Sequence, residues 1–372
     1  MYRDATDLLV VTELSDIHRE GVAWDTNIFR IGLLIPMCGS AGIWAPSCIS
    51  CAQVAVAELN RKGGIGGQQV QMVMIDAAIE TCALVEEVVN GLIENRGIDA
   101  IVGMHISAVR QRLSKVVRKR IPYIYTPLYE GGETTPGIFA IGDTPDKQLA
   151  PSLSALQGIY QLKGWALVGN DYVWPRSFNS HAKYFLKDLG VAIRHEEYVP
   201  FGRADMDRLV ERVAESKADA VLLSLVGQDA ISFNRAFGRA GLDERMIRLS
   251  CAIEENGLLA SGPRNVQRLF SVSSYFATLE TEANAAFREV YYSIHGEHAP
   301  VLNTLGQSTY EGVHFLAGLM QHKHEKWRDL SFERLRDLPR KTVRKADGAE
   351  GRGGPVYLAR ADDLKFEVLK KL

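Results

Sequence analysis

Residues 29–35, FRIGLLI, are apolar almost without a break, and the chain repeats such runs at regular intervals between segments of helical periodicity. A strand without polar alternation is covered on both faces, the habit of parallel sheets flanked by helices. The first part reads as strand 29–35, helix 45–61, strand 70–75, helix 81–95, strand 100–103, helix 107–117 and strand 123–126. The pattern then restarts with strand 165–168, helix 175–188, strand 192–198, helix 205–215, strand 220–225 and helix 229–240. Strand 247–250, a short helix at 254–259 and strand 269–274 complete that second run. Amphipathic helices at 281–295 and 304–321 follow, and GRGGPVYLA at 351–359 and KFEVL at 365–369 read as short strands around glycine turns. The crossover rules assemble each run into an open parallel sheet. The predicted class is therefore α/β: two open parallel-sheet, Rossmann-like lobes with a ligand cleft between the carboxyl ends of their strands. Residues 1–27 read as an N-terminal arm, 28–150 as the first lobe with the helices of 300–340 returning to it, 151–280 as the second lobe, and 341–372 as C-terminal strands near the hinge.

A chain of 372 residues is too long for one ordinary core. With 46% hydrophobic and 24% charged residues it is not a disordered chain. A net charge of -2, with Lys and Arg spread along the length, gives no electrostatic basis for binding nucleic acid or an anionic membrane. A secretory leader needs a basic start and an apolar run of ~7–15 residues. Residues 1–27 instead place acids at Asp4, Asp7, Glu13 and Asp16, and their longest apolar run is Leu8-Leu9-Val10-Val11. No other stretch approaches the ~20 apolar residues of a membrane span. The chain therefore reads as cytoplasmic without membrane insertion, or as periplasmic if a leader has been removed. Cys38, Cys48, Cys51, Cys82 and Cys251 show no pairing that demands bridges, and buried free thiols are expected.

Catalytic and cofactor signatures do not appear. The run GGIGG at 63–67 ends a helix and leads into a strand, the reverse of a phosphate-cradling loop, so it reads as a turn. There is no Walker loop, G-x-S-x-G elbow or H-E-x-x-H. His314, His322 and His324, with Glu325, read as a solvated helix end, since positions two apart on a helix point to different sides. The basic run 340–345, RKTVRK, lacks interleaved aromatics and reads as a solvated loop. No Ser or Cys has a nearby partnered His, so neither an enzyme nor a cofactor or metal is expected.

Polar and aromatic residues gather instead just past the strand ends. Strand 100–103 runs into Met104-His105-Ile106-Ser107, where Ser107 is the expected N-cap of a helix. Strand 123–126 runs into Pro127-Leu128-Tyr129-Glu130-Gly131. In the second half, Val168-Gly169 leads to Asn170-Asp171-Tyr172-Val173-Trp174-Pro175, Leu225 leads to Val226-Gly227-Gln228-Asp229, and strand 247–250 leads to Cys251, Glu254 and Glu255. Five such tips aimed at one cleft make a binding site of flat aromatic walls and hydrogen-bonding groups, suited to a small neutral amide or urea.

At these tips the sequence resembles the type I periplasmic-binding-protein family. Within it the chain is similar to the amide-sensing regulator of bacterial amidase operons and to the urea-binding proteins of ABC transporters. The matching stretches are AVAELNRKGGIGGQQV at 55–70, IENRGIDAIVG at 93–103, YTPLYEGGETTPGIFAIGDTPDKQLAPS at 125–152, GNDYVWPRSFN at 169–179, LVGQDA at 225–230 and GGPVYL at 353–358. The resemblance covers about residues 28–360 and implies the type I periplasmic-binding-protein fold. It also implies ligand contacts at His105, Ser107, Tyr125, Pro127 and Leu128 in the first lobe. In the second lobe it implies Tyr172, Trp174, Gly227, Gln228 and the acidic Glu254. His105 stands where the amide sensor has a phenol, and Leu128 where it has proline. The branched-chain amino-acid binders carry a Ser/Ala/Thr cluster where this chain has Pro-Leu-Tyr-Glu, which argues against an amino-acid ligand.

The leading expectation is a non-catalytic cytoplasmic sensor that closes on a short aliphatic amide, urea or related nitrogen compound. It would control amide or nitrile breakdown through a regulatory protein partner, and a homodimer is compatible with that role. The alternative is the substrate-binding protein of an ABC transporter for urea, short-chain amides or branched-chain amino acids.

Overall fold

A computed structural model describes residues 9–11, 27–79, 84–323, 327–330 and 354–372. Six strands form the first sheet: β1 Leu9–Val11, β2 Ile28–Ile35, β3 Gln69–Asp76, β4 Ala100–Gly103, β5 Tyr123–Tyr125 and β6 Ile138–Ala140. Their order is β1-β3-β2-β4-β5-β6 and every pairing is parallel. Helices α1 (Ala45–Arg61), α2 (Val85–Glu94) and α3 (Ser107–Val117) connect them. Ile31, Leu33 and Ile35 of β2 pack with α1, and Leu34 on the opposite face packs with α2 and α3. Burial on both faces is the reason FRIGLLI shows no alternation.

The second sheet contains β7 Gly164–Asn170, β8 Ala192–Val199, β9 Ala220–Ser224, β10 Ile247–Ser250, β11 Leu269–Ser273, β12 Tyr357–Asp362 and β13 Lys365–Lys371. Its order is β13-β12-β11-β10-β9-β7-β8, with β12 and β13 antiparallel at one edge. Its helices are α4 (Pro145–Tyr160), α5 (Val173–Asp188), α6 (Met206–Glu215), α7 (Gly227–Arg239) and α8 (Glu255–Ser261). After β11 the chain crosses back, and α9 (Glu282–His295) and α10 (Thr304–Lys323) pack on the first lobe. Gly306 brings α10 so close to α1 that a side chain there would collide with Ser47 Oγ. The chain also crosses between the lobes after β6 and again on its way to β12, so three crossings join the two sheets.

The α/β class with two parallel-sheet lobes is as expected, and the differences from expectation are local. Part of the N-terminal arm is a strand: Leu9, Val10 and Val11 pair parallel with Val73, Met74 and Ile75 at the sheet edge. The short strand β6 and the helix α4 lay outside the sequence reading. Pro151 inside α4 has no N–H to bond back, which makes the segment read as non-helical, although Pro145 sits at the helix start where proline is welcome. His314 is not at a solvated helix end. It is buried, with Nε2 3.0 Å from Glu58 Oε2. Cys48, Cys51 and Cys251 are buried free thiols, whereas Cys38 is exposed. The stretch Gly42–Arg61 is long and apolar enough to cross a membrane, contrary to the expectation that none is, yet 67% of its most apolar window is buried in the fold, as befits a core helix. Cys82, His324, Glu325 and the basic run 340–345 lie outside the described residues, as does most of the arm.

The GGIGG segment is a turn with a stringent requirement. The Gly64 amide donates to the Leu59 carbonyl at 2.9 Å, closing α1, while its φ is +79°. A Cβ on residue 64 would collide with the Gln68 carbonyl. Gly64→Ala should therefore lower the unfolding free energy by about 1–3 kcal/mol in denaturant titrations. Gly66→Ala, which meets nothing within 4 Å, should cost less.

Candidate functional site

Strand order reverses between β2 and β4 in the first sheet and between β7 and β9 in the second. Loops that leave neighbouring strands in opposite directions open a crevice at such a point. Here the two crevices face each other. Trp44 reaches in from the segment after β2, His105, Ile106 and Ser107 from the β4 tip, and Tyr125, Pro127 and Leu128 from β5 and its tip. Tyr172, Trp174, Val226 and Ala252 come from the second lobe, and Leu305 from the start of α10. Together they enclose about 30 Å³. Of the residues expected at the site, His105, Ser107, Tyr125, Pro127, Leu128, Tyr172 and Trp174 are thus brought together.

The polar groups are held in defined roles. His105 is buried, and burial, aided by the nearby Arg110 charge, pushes its imidazole down to about 3, so it is neutral. Its Nδ1 faces the Ile106 carbonyl at 3.2 Å, which can only accept, so Nδ1 carries the proton. Nε2 is then an acceptor for the Tyr123 hydroxyl at 2.9 Å. The Tyr125 hydroxyl donates to the His105 carbonyl at 2.7 Å, which leaves its oxygen lone pairs as its remaining capacity. Ser107 Oγ lies 3.4 Å from Tyr125 Oη. Ser107 is not the N-cap that was expected. Extended Ile106 takes that position and Ser107 is the first helical residue, its hydroxyl uncommitted to the helix end. The buried indole N–H of Trp174 has no acceptor among the described residues. Among the described residues, no Asp, Glu, Lys or Arg lines the gap. Arg110 lies behind it, 5.1 and 5.2 Å from the Tyr125 and Tyr129 ring centres, and is paired with Glu130 at 2.6 Å and Glu133 at 3.2 Å.

Gly227, Gln228 and Glu254 do not line the gap. They clasp the lobes beside it. The Gln228 amide donates to the Ser40 carbonyl at 2.8 Å, and a Cβ on Gly227, whose φ is +52°, would collide with that same carbonyl. The Gln228 side chain turns to Ser232 instead. Glu254 caps α8 by accepting from the amides of Asn256 and Gly257, and its Oε1 also accepts from Trp44 Nε1 at 3.2 Å. Asn256 Nδ2 donates to the Ile43 carbonyl at 3.2 Å. Burial outweighs these donors and raises the Glu254 carboxyl to about 7. The neighbouring Glu255, also buried, is raised to about 8, with one oxygen bonded to the Ala277 amide and Oε2 without a partner among the described residues.

Sequence reasoning missed Trp44, Ile106, Val226, Ala252 and Leu305. Trp44 follows the β2 end as other aromatics follow theirs, so the same rule applied to that tip would have found it. Leu305 carries no local signal, because its place depends on the return of α10 from the far end of the chain.

A family model described as periplasmic binding protein matches residues 29–361. Among curated proteins, Leu/Ile/Val-binding protein homolog 7 of Brucella abortus is 24% identical over 236 residues, 59% of this chain and 58% of that protein. The chain thus spans less than two thirds of that relative's length. Among solved structures, an ABC-transporter solute-binding protein of R. palustris in complex with 4-hydroxybenzoate superposes with a TM-score of 0.76 at 17% identity, over 93% of this chain and 96% of that one. The branched-chain amino acid transporter substrate-binding protein of Streptococcus pneumoniae in complex with isoleucine gives 0.75 at 18% identity, over 93% and 100%. These likenesses are with the family and its fold as a whole.

The raised carboxyls make stability depend on pH. A carboxyl held above its ordinary value of 4.5 keeps its proton in the folded chain after the unfolded chain has lost it. Its stabilising contribution is full below about pH 4.5 and is lost as the pH rises toward about 8. Denaturant midpoints should fall over that window, and Glu255→Gln, which keeps the acceptor facing Ala277, should flatten the fall by on the order of a few kcal/mol. An equally steep fall in the variant would contradict the assignment.

Proposed function

The chain belongs to the periplasmic binding protein family, and from that premise we propose that it is the solute-binding component of an ABC transporter, closing its lobes on one small uncharged solute of the primary-amide type. The uncharged lining is the observation that carries the choice of solute. A zwitterionic amino acid would bring an ammonium and a carboxylate into a gap that no charged side chain lines among the described residues, at the cost of burying charges without partners. A primary amide matches the available polarity. Its carbonyl suits the unpartnered Trp174 N–H, its NH₂ suits the Tyr125 oxygen, and Ser107 can serve either. A short alkyl group would rest against Trp44, Tyr172 and Leu305.

A transport role replaces the intracellular sensor as the leading reading because solute-binding proteins of transporters recur among the similar structures. A place outside the cytoplasmic membrane goes with that role, and cell fractionation tests it. Recovery of the full gene product from the cytosol would return the reading to a ligand sensor with a regulatory partner. A second solute class, aromatic carboxylates, is favoured by the ring-lined walls and disfavoured by the lack of a cation to meet the carboxylate.

The screen is a thermal-shift series of urea, acetamide, propionamide, isoleucine and 4-hydroxybenzoate. Ligand at about 100 times its Kd stabilises a protein by about 2.7 kcal/mol. The neutral amides should raise the melting temperature and the charged solutes should not; the opposite order would sink the amide reading. Trp174→Phe and Ser107→Ala should each weaken calorimetric binding of the best amide by roughly 0.5–1.5 kcal/mol, the typical net value of one hydrogen bond. Unchanged affinity would remove that residue from the site.

A further inference from the structure

Behind the gap lies a second, smaller space of about 10 Å³, and Pro127, Leu128 and Leu305 line both. The two chambers differ in chemistry. The first is walled largely by rings and aliphatic groups, the second by Thr126, Asp143, Gln148, Ser273, Thr304 and Ser308. The hydrogens of that second set are largely committed within the protein. Ser273 Oγ donates to Thr304 Oγ1 at 2.8 Å, Ser308 Oγ donates to the Thr126 carbonyl at 3.0 Å, and Gln148 Nε2 donates to the Val272 carbonyl at 3.3 Å. Asp143 is buried and accepts from Lys147 Nζ at 2.6 Å. Besides lone pairs, the Thr304 hydroxyl hydrogen and the second Gln148 amide hydrogen remain, so the chamber suits a guest group that both donates and accepts, as a hydroxyl does.

The partition is fixed from behind. A Cβ at Gly142 would collide with the Pro127 carbonyl oxygen, so the backbone at 127–128 is seated directly on the chain that crosses between the lobes. What can be removed without moving that backbone is the half-buried Leu128 side chain. We propose that Leu128 is the specificity-determining residue that stops the ligand at the first chamber, and that the space behind it is a subsite for a hydroxyl-bearing tail. The inference rests on the reading of the first chamber as a neutral-amide site.

The test is calorimetric titration of the full chain and of Leu128→Ala and Leu128→Phe with acetamide, butyramide and 4-hydroxybutyramide. Wild-type protein should bind acetamide and discriminate against both four-carbon amides. Leu128→Ala should gain about fourfold in affinity for each methylene newly buried, and should bind 4-hydroxybutyramide about fivefold more tightly than butyramide. Leu128→Phe, which fills space rather than opening it, should sharpen the discrimination against the longer amides. If wild type binds acetamide and the ranking by length is the same in all three proteins, the partition is refuted while the amide site stands. If Leu128→Ala gains for butyramide but not for its hydroxyl derivative, the polar subsite is refuted. Failure of all three proteins to bind any of the amides overturns the site reading and this inference with it.

Discussion

The Ser40 carbonyl accepts the Gln228 amide across the space between the lobes, and it can do so only because residue 227 has no side chain. Around that contact the segment after β2 is gripped twice more, at Ile43 by Asn256 and at Trp44 by Glu254. A backbone carbonyl buried between two domains must find a donor, so these contacts specify how closely, and in what register, the two sheets face each other. The width of the gap follows from that. So does the meeting of Trp44 from one lobe with Trp174 and Tyr172 from the other, which gives the gap an aromatic wall.

Inside the gap, polarity is set by groups one step removed from it. Burial keeps His105 neutral, the Ile106 carbonyl fixes its tautomer, and the His105 carbonyl takes the hydrogen of Tyr125. The charge on Arg110, behind the tyrosines, is absorbed by Glu130 and Glu133 and by the faces of two rings. Among the described residues, the gap is therefore lined by dipoles and rings rather than ions.

Some of this could be read in advance, for identifiable reasons. The strands β2, β7 and β9 announce themselves because burial on both faces leaves an uninterrupted apolar run. Loop tips at strand ends follow from the wound topology, which is why Ser107, Tyr172 and Trp174 could be named from order alone, whereas Tyr125, inside β5, came only from the family resemblance. α4 was hidden by Pro151, which removes a helical hydrogen bond without ending the helix. β1 is hidden because three residues pairing at a sheet edge leave hardly any pattern.

Local order along the chain determined the α/β class, the pair of sheets and the kind of residue that would stand at their mouths, because strand and helix periodicities are properties of neighbouring residues. Only the tertiary structure decided which of those residues face the gap. Gly227, Gln228 and Glu254 sit at tips as Ser107 and Tyr172 do, yet they became a clasp between lobes, while Leu305 became a wall although nothing near it in the chain says so. The reason is geometric: the closing angle of two hinged bodies depends on every contact across their interface, and no stretch of sequence contains both sides of one.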